Sequence, residues 1–202
     1  SQIALSLGSI SLHEGLKEFS LEDYATYYEK QELIGSVPSV QKLENNIYRA
    51  TTSYGYGLKV NLMQLVRAYS VFNNDGVDNK LYMEAYHKGY QEPQRVISFQ
   101  TASQVQNALT EVVKKGTGAN AYTKAFEVGG KTSTAHMVEN GRYVNKYNTS
   151  FIGYANKDSK KYVLGIVVVD PKNGTFSTET AASLFKDVVS FLYDFKYVTV
   201  IK

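Results

Sequence analysis

Between Gly129 and His136 the chain reads Gly-Gly-Lys-Thr-Ser-Thr-Ala-His, a lysine set among hydroxyls and preceded by paired glycines. A lysine ammonium flanked by threonine and serine hydroxyls presents hydrogen-bond donors to an anionic group, and the glycine pair lets another backbone approach closely. That set suits a carboxylate-bearing, peptide-like ligand. The same letters also suit a plain solvent-facing strand, in which Thr132, Ser133 and Thr134 supply β propensity and Lys131 guards an exposed edge against aggregation. Taken alone, the four residues favour the second reading.

A second lysine and hydroxyl pair occurs at Ser39-Val40-Gln41-Lys42. Nucleophilic use would require a helical turn placing both side chains on one face, in a buried site that lowers the lysine pKa. The surroundings, Gly35 to Asn46, are polar and loop-like, so Ser39 reads as a loop residue. His13, His87 and His136 have no metal-ligand spacing. Gly116-Thr117-Gly118 lacks the lysine and the strand-to-helix setting of a phosphate loop and reads as a helix C-cap. The absence of cysteine excludes disulfides and thiol catalysis. The 17 tyrosines read mainly as partly buried packing with a polar tip.

These residues need a scaffold, and 202 residues with 43% hydrophobic content can bury a core. The 22 basic and 19 acidic residues are scattered, so a nucleic-acid partner is not expected. The longest apolar run, Tyr162 to Val169, is far below the ~20 residues of a membrane span. The opening SQIALSLGSI has no basic lead-in of a signal peptide and reads as an internal segment.

Periodicity predicts a helix pair over 1–19 broken at Gly8, then an irregular excursion over 21–50. A helix capped by Asn61 runs to about Phe72 with Met63, Val66, Ala68, Tyr69, Val71 and Phe72 inward, and the sequence Asn-Asn-Asp-Gly stops it. Thr101 with Gln104 reads as a capping box opening a helix that ends at Lys114, Lys115 and Gly116. The period then switches to strand over 126–137, 149–155 and 162–170, and a final helix spans 178–193. Residues 1–118 are thus mainly helical and 119–202 a three-stranded antiparallel meander plus a helix, an α+β arrangement in one domain or part of one.

In this context the run from Val112 to His136 resembles the segment leading into the Lys-Thr-Gly strand of penicillin-binding proteins and serine β-lactamases. Tyr54 to Gly76 resembles the glycine-rich turn and helix of class B penicillin-binding transpeptidases. Arg95 to Val113 is similar to their next helix, and Thr149 to Ala155 and Tyr162 to Pro171 to their following strands. Ser1 to Phe19 resembles the helix downstream of their Ser-x-Asn motif. The resemblance covers nearly the whole chain in order and is nearest the septal, division-type enzymes.

That resemblance implies the C-terminal part of a transpeptidase fold, with the Ser-x-x-Lys and Ser-x-Asn motifs lying upstream of Ser1. It implies a serine acyltransferase that cross-links peptidoglycan stem peptides, is acylated by β-lactams and uses no metal or organic cofactor. Lys131 would stabilise charge and proton movement, Thr132 and Thr134 would face the substrate carboxylate beside Gly130 and Ser133, and the Thr134 amide would serve the oxyanion hole. Ser133 stands where the family usually has glycine, and tolerance is expected because serine is small. This chain alone is expected to be inactive. The implied setting is the periplasmic face of the bacterial inner membrane, anchored by a segment outside this chain, with division proteins as partners. A non-catalytic scaffold of the same fold, a β-lactamase and a D,D-carboxypeptidase are the alternatives.

Overall fold

The structure is a computed structural model that describes residues 1–25, 33–81, 92–174 and 176–194; His87 lies outside them. The chain forms two compact units, Ser1–Val71 with Val77–Ile97, and Phe72–Gly76 with Ser98–Lys202.

In the first unit, α1 (Gln2–Glu18) breaks at Gly8, where φ is 81°. Glycine takes that value without steric cost, as the sequence leads one to expect. The expected irregular excursion over 21–50 instead contains α2 (Val40–Leu43) and the start of α3 (Asn46–Thr52). Both begin at polar caps in extended conformation, and Asn45 Oδ1 accepts from the Ile47 and Tyr48 N–H groups at 3.0 Å each.

Helix α4 (Leu62–Asn73) opens on a reciprocal cap: Gln64 N–H donates to Asn61 Oδ1 at 2.7 Å and Asn61 N–H to Gln64 Oε1 at 3.0 Å. Ala68 and Val71 are buried as expected, but Met63, Val66, Tyr69 and Phe72 are only partly so. The deepest positions include Gln64 and Arg67. The loop after α1 leaves carbonyls that need donors: Gln64 Nε2 reaches Leu21 O at 3.1 Å and Asp23 O at 2.8 Å, and Arg67 Nη1 reaches Tyr24 O at 2.7 Å. Arg67 also grips both oxygens of Asp78, with Nη2 to Oδ2 at 2.6 Å. Burial opposes the guanidinium charge, yet the bond and charge of Asp78, joined by Asp23, outweigh it and hold Arg67 above its ordinary value. Asp78 lies on β1 (Val77–Asp78), which pairs antiparallel with β2 (Gln94–Arg95).

In the second unit, the turn ending α4 takes positive φ at Asp75 (56°) and Gly76 (86°). Helix α5 (Phe99–Lys115) is capped by Ser98, whose hydroxyl accepts from Thr101 N–H at 3.0 Å. The cap is therefore Ser98 rather than Thr101, because Ser98 keeps the extended backbone a cap requires while Thr101 is already helical. Strands β3 (Glu127–Glu139), β4 (Arg142–Lys157) and β5 (Lys160–Val169) form the expected antiparallel meander in the order β3-β4-β5. Asn140 and Gly141, at φ 51° and 75°, close the first hairpin in the left-handed conformation favoured by two-residue turns.

Helix α6 (Ala181–Asp194) starts after a turn over 177–180 rather than at Thr178. It buries Ala181, Ala182, Phe185 and Val189 against Val128, Phe151 and Ala155 of the sheet, with Leu164, Ile166 and Val168 beside them. The Phe151 and Phe185 rings meet edge to face at 4.7 Å. Full burial of side chains of that size stabilises by about 1.5–3 kcal/mol each.

Candidate active-site strand

Strand β3 pairs with β4 on one side only among the described residues, so its other edge is open. The register sets Gly129 opposite Tyr154, Gly130 opposite Gly153, Lys131 opposite Ile152, Thr132 opposite Phe151 and Thr134 opposite Thr149. Side chains alternate, so Val128, Thr132 and Thr134 share the face that α6 packs, whereas Lys131 and Ser133 point to the opposite face.

The paired glycines are explained by that register. A Cβ on Gly129 would clash with the phenol end of Tyr154, and one on Gly130 would lie 2.5 Å from Phe151 Cζ and 2.8 Å from Ile152 O. The space above them, expected to admit another backbone, thus holds one of the chain's own rings on each face. Tyr154 anchors its side by donating to Gln106 O at 2.9 Å and lying 2.6 Å from Thr110 Oγ1, and burial raises the pKa of its phenol. Lys131, directly along the strand from this seat, is therefore carried on backbone fixed from both sides.

Lys131 is exposed, and its Nζ donates to Thr132 O at 2.7 Å. Thr132 is 9% exposed, and its Oγ1 lies 2.8 Å from Thr117 Oγ1 in the loop after α5. Thr134 Oγ1 accepts from Ser177 N–H at 3.2 Å. Its cross-strand neighbour Thr149 is wholly buried and accepts from Thr180 Oγ1 at 2.8 Å. Ser133 is exposed. The structure thus brings Gly130, Lys131, Thr132, Ser133 and Thr134 onto one open strand edge, with the two threonine hydroxyls tied to the elements behind it. Thr117 and Ser177 were not visible as members of this group from the sequence; a hydroxyl in a glycine-flanked loop was the only signal.

His136 lies further along β3, its Nδ1 3.2 Å from Val144 O and its ring 4.4 Å from that of Tyr147. Here β3 and β4 run on as a two-stranded ribbon, since pairing with β5 ends at Asn148 and Val169. The other lysine and hydroxyl pair is arranged differently. Ser39 and Lys42 are both exposed, and Ser39 Oγ accepts from the Lys42 backbone N–H at 3.5 Å as the cap of α2. His13 Nδ1 sits 2.9 Å from Pro38 O. No group of three or more His, Cys, Asp or Glu suited to a metal occurs among the described residues.

A sequence model of the penicillin binding protein transpeptidase domain family matches residues 1–190. A probable peptidoglycan D,D-transpeptidase PenA of Neisseria flavescens is 37% identical over 155 residues, covering 74% of this chain and 37% of that one. Among solved structures, the apo transpeptidase domain of Burkholderia pseudomallei penicillin-binding protein 3 superposes with TM-score 0.83 at 29% identity, over 96% of this chain and 60% of that one. Penicillin-binding protein 3 of Mycobacterium tuberculosis complexed with aztreonam gives TM-score 0.83 at 25% identity, over 98% of this chain and 50% of that one. The chain spans between 24% and 37% of the length of the curated relatives it matches.

Proposed function

This chain belongs to the penicillin-binding protein transpeptidase domain family, and from that premise we propose that residues 1–202 are the C-terminal part of a class B, septal-type peptidoglycan D,D-transpeptidase domain. The reaction is acyl transfer between stem peptides through a serine acyl-enzyme, which divides one hard step into two easier ones. The nucleophile and the Ser-x-Asn motif are contributed by sequence upstream of Ser1. The full-length protein works at the periplasmic face of the inner membrane with division proteins; among the described residues no helix is long and apolar enough to cross a membrane.

Within this chain Lys131 stabilises charge and assists proton movement, Thr132 and Thr134 recognise the substrate carboxylate, and Gly130 and Ser133 line the ligand's path. The Thr134 N–H is an oxyanion donor, a type of contact worth about 10²–10³ in rate. One observation carries the reading: Lys131, Thr132 and Thr134 stand in sequence on a strand edge that is unpaired among the described residues and whose backbone is held by a ring on each face. The Lys131 bond to Thr132 O supports the edge-on assignment, since backbone groups two residues apart point the same way and Thr134 N–H then also faces outward. The aztreonam complex of the Mycobacterium tuberculosis relative supports β-lactam acylation.

Intact-mass measurement after incubation with a β-lactam tests the proposal. An adduct is expected on the full-length protein and none on this chain alone. An unmodified full-length protein would leave a non-catalytic scaffold, rapid β-lactam turnover would indicate a β-lactamase, and an adduct at Ser39 would move the nucleophile into this chain.

A further inference from the structure

Behind Thr132 on β3 lies a chain of hydrogen bonds through Thr117, Thr178 and Asn120, three residues that the reaction as outlined does not use. Thr117 Oγ1 is 2.8 Å from Thr132 Oγ1, Thr178 Oγ1 donates to Thr117 O at 2.9 Å, and Asn120 Nδ2 donates to Thr178 O at 2.9 Å. The loop carrying Thr117 is closely fitted: a Cβ on Gly116 would lie 2.9 Å from Val112 O, and one on Gly118 3.3 Å from both Phe151 Cε2 and Val112 Cγ1. Thr117 therefore stands at a fixed place, held through its own carbonyl, with its hydroxyl directed at a threonine that is 9% exposed.

A pair of hydroxyls at this distance shares one hydrogen, so one oxygen donates and the other accepts. Thr132 has a single hydroxyl hydrogen, so it can donate to an anionic carboxylate only if that hydrogen is not already given to Thr117. We propose that Thr117 is a positioning residue for carboxylate recognition: its O–H donates to Thr132 Oγ1 and thereby turns the Thr132 hydrogen outward, toward the ligand. No proton is transferred. The two hydroxyls form a short chain in which each bond polarises the next. This rests on the transpeptidase reading and names a specificity device within that same site.

The test uses the full-length protein, a penicillin with its free carboxylate and the methyl ester of the same penicillin, with acylation followed by intact mass over a concentration series. Thr117→Val keeps the side-chain shape and removes the donor. It should weaken pre-acylation binding of the free acid about tenfold, the scale of a lost hydrogen bond to a charged group. The acylation rate at saturation and the response to the ester should stay unchanged, and Thr117→Ser should restore binding. In a Thr132→Ala background, Thr117→Val should have no further effect. If Thr117→Val fails to fold, Thr117→Ala set against Thr117→Ser carries the same comparison. Equal losses for acid and ester, or an effect that persists without the Thr132 hydroxyl, would overturn the proposal. Absence of any wild-type adduct would instead overturn the transpeptidase reading beneath it.

Discussion

Two lysine-and-hydroxyl stretches invite a chemical reading, Ser39–Lys42 in one compact unit and Lys131–Thr134 in the other, and the two could hardly be housed more differently. Ser39 opens a four-residue helix with its own exposed oxygen, and the partner it uses is the Lys42 amide rather than the Lys42 ammonium. Lys131 stands on a strand of 13 residues whose neighbours, Gly129 and Gly130, are covered by Tyr154 and Phe151. The proposed site is the stretch whose backbone is held on both faces. Catalysis depends on such placement more than on residue type, because orientation removes entropy from the reacting pair in advance.

The sharpest way to break this contrast is to remove each lysine in turn from the full-length protein. Lys131→Ala should slow β-lactam acylation by about 10²–10⁴-fold, the usual contribution of a positioned proton-transfer group, while Lys42→Ala should leave the rate of adduct formation as it was. Equal rates in the two variants would place the chemistry elsewhere.

The scaffolds can be broken separately. Asp78→Ala removes the main ionic partner of Arg67, whose side chain is 8% exposed and keeps Asp23 and the Tyr24 carbonyl, and should cost about 3 kcal/mol in urea unfolding. Gly130→Ala drives a methyl into Phe151 and should cost about 1–3 kcal/mol; Phe151→Leu in the same chain should recover part of it. Ser39→Ala removes one cap bond and should cost at most about 1 kcal/mol, with acylation unaffected.

A pH scan sharpens the first unit's side of the comparison. Burial pushes the Tyr69 phenol up to about 12, above its unfolded value near 10. The raised value means the folded state holds the proton more tightly, so this stabilisation is complete below pH 10 and is lost as pH climbs toward 12. Tyr69→Phe should flatten that alkaline decline in the thermal midpoint.

Much of this architecture is legible in the residues. The Gly8 break, the Asn61 cap and the meander all follow from local rules, in which glycine conformation, cap chemistry and period-two alternation agree with the final fold. What escaped is non-local. Gln64 and Arg67 lie on the inward side of α4 because carbonyls over forty positions earlier in the chain lack donors, and no periodicity in α4 records that. Likewise, Thr117 reads as part of a helix C-cap, which the Gly116 N–H to Val112 O bond bears out, yet its hydroxyl is committed to a strand. The ordered motifs mark Lys131, Thr132 and Thr134; they do not reveal that Thr132 faces the α6 side while Lys131 faces away from it.

The glycine pair beneath Lys131 also governs how this strand can vary over generations. Any larger residue at Gly129 or Gly130 must first evict an aromatic ring, whereas Ser133 and Ala135 carry side chains open to solvent. On the proposed substrate-binding role, single substitutions that would retune what the edge accepts are thereby channelled to Ser133 and Ala135, and the route through the glycines requires a simultaneous change at Phe151 or Tyr154.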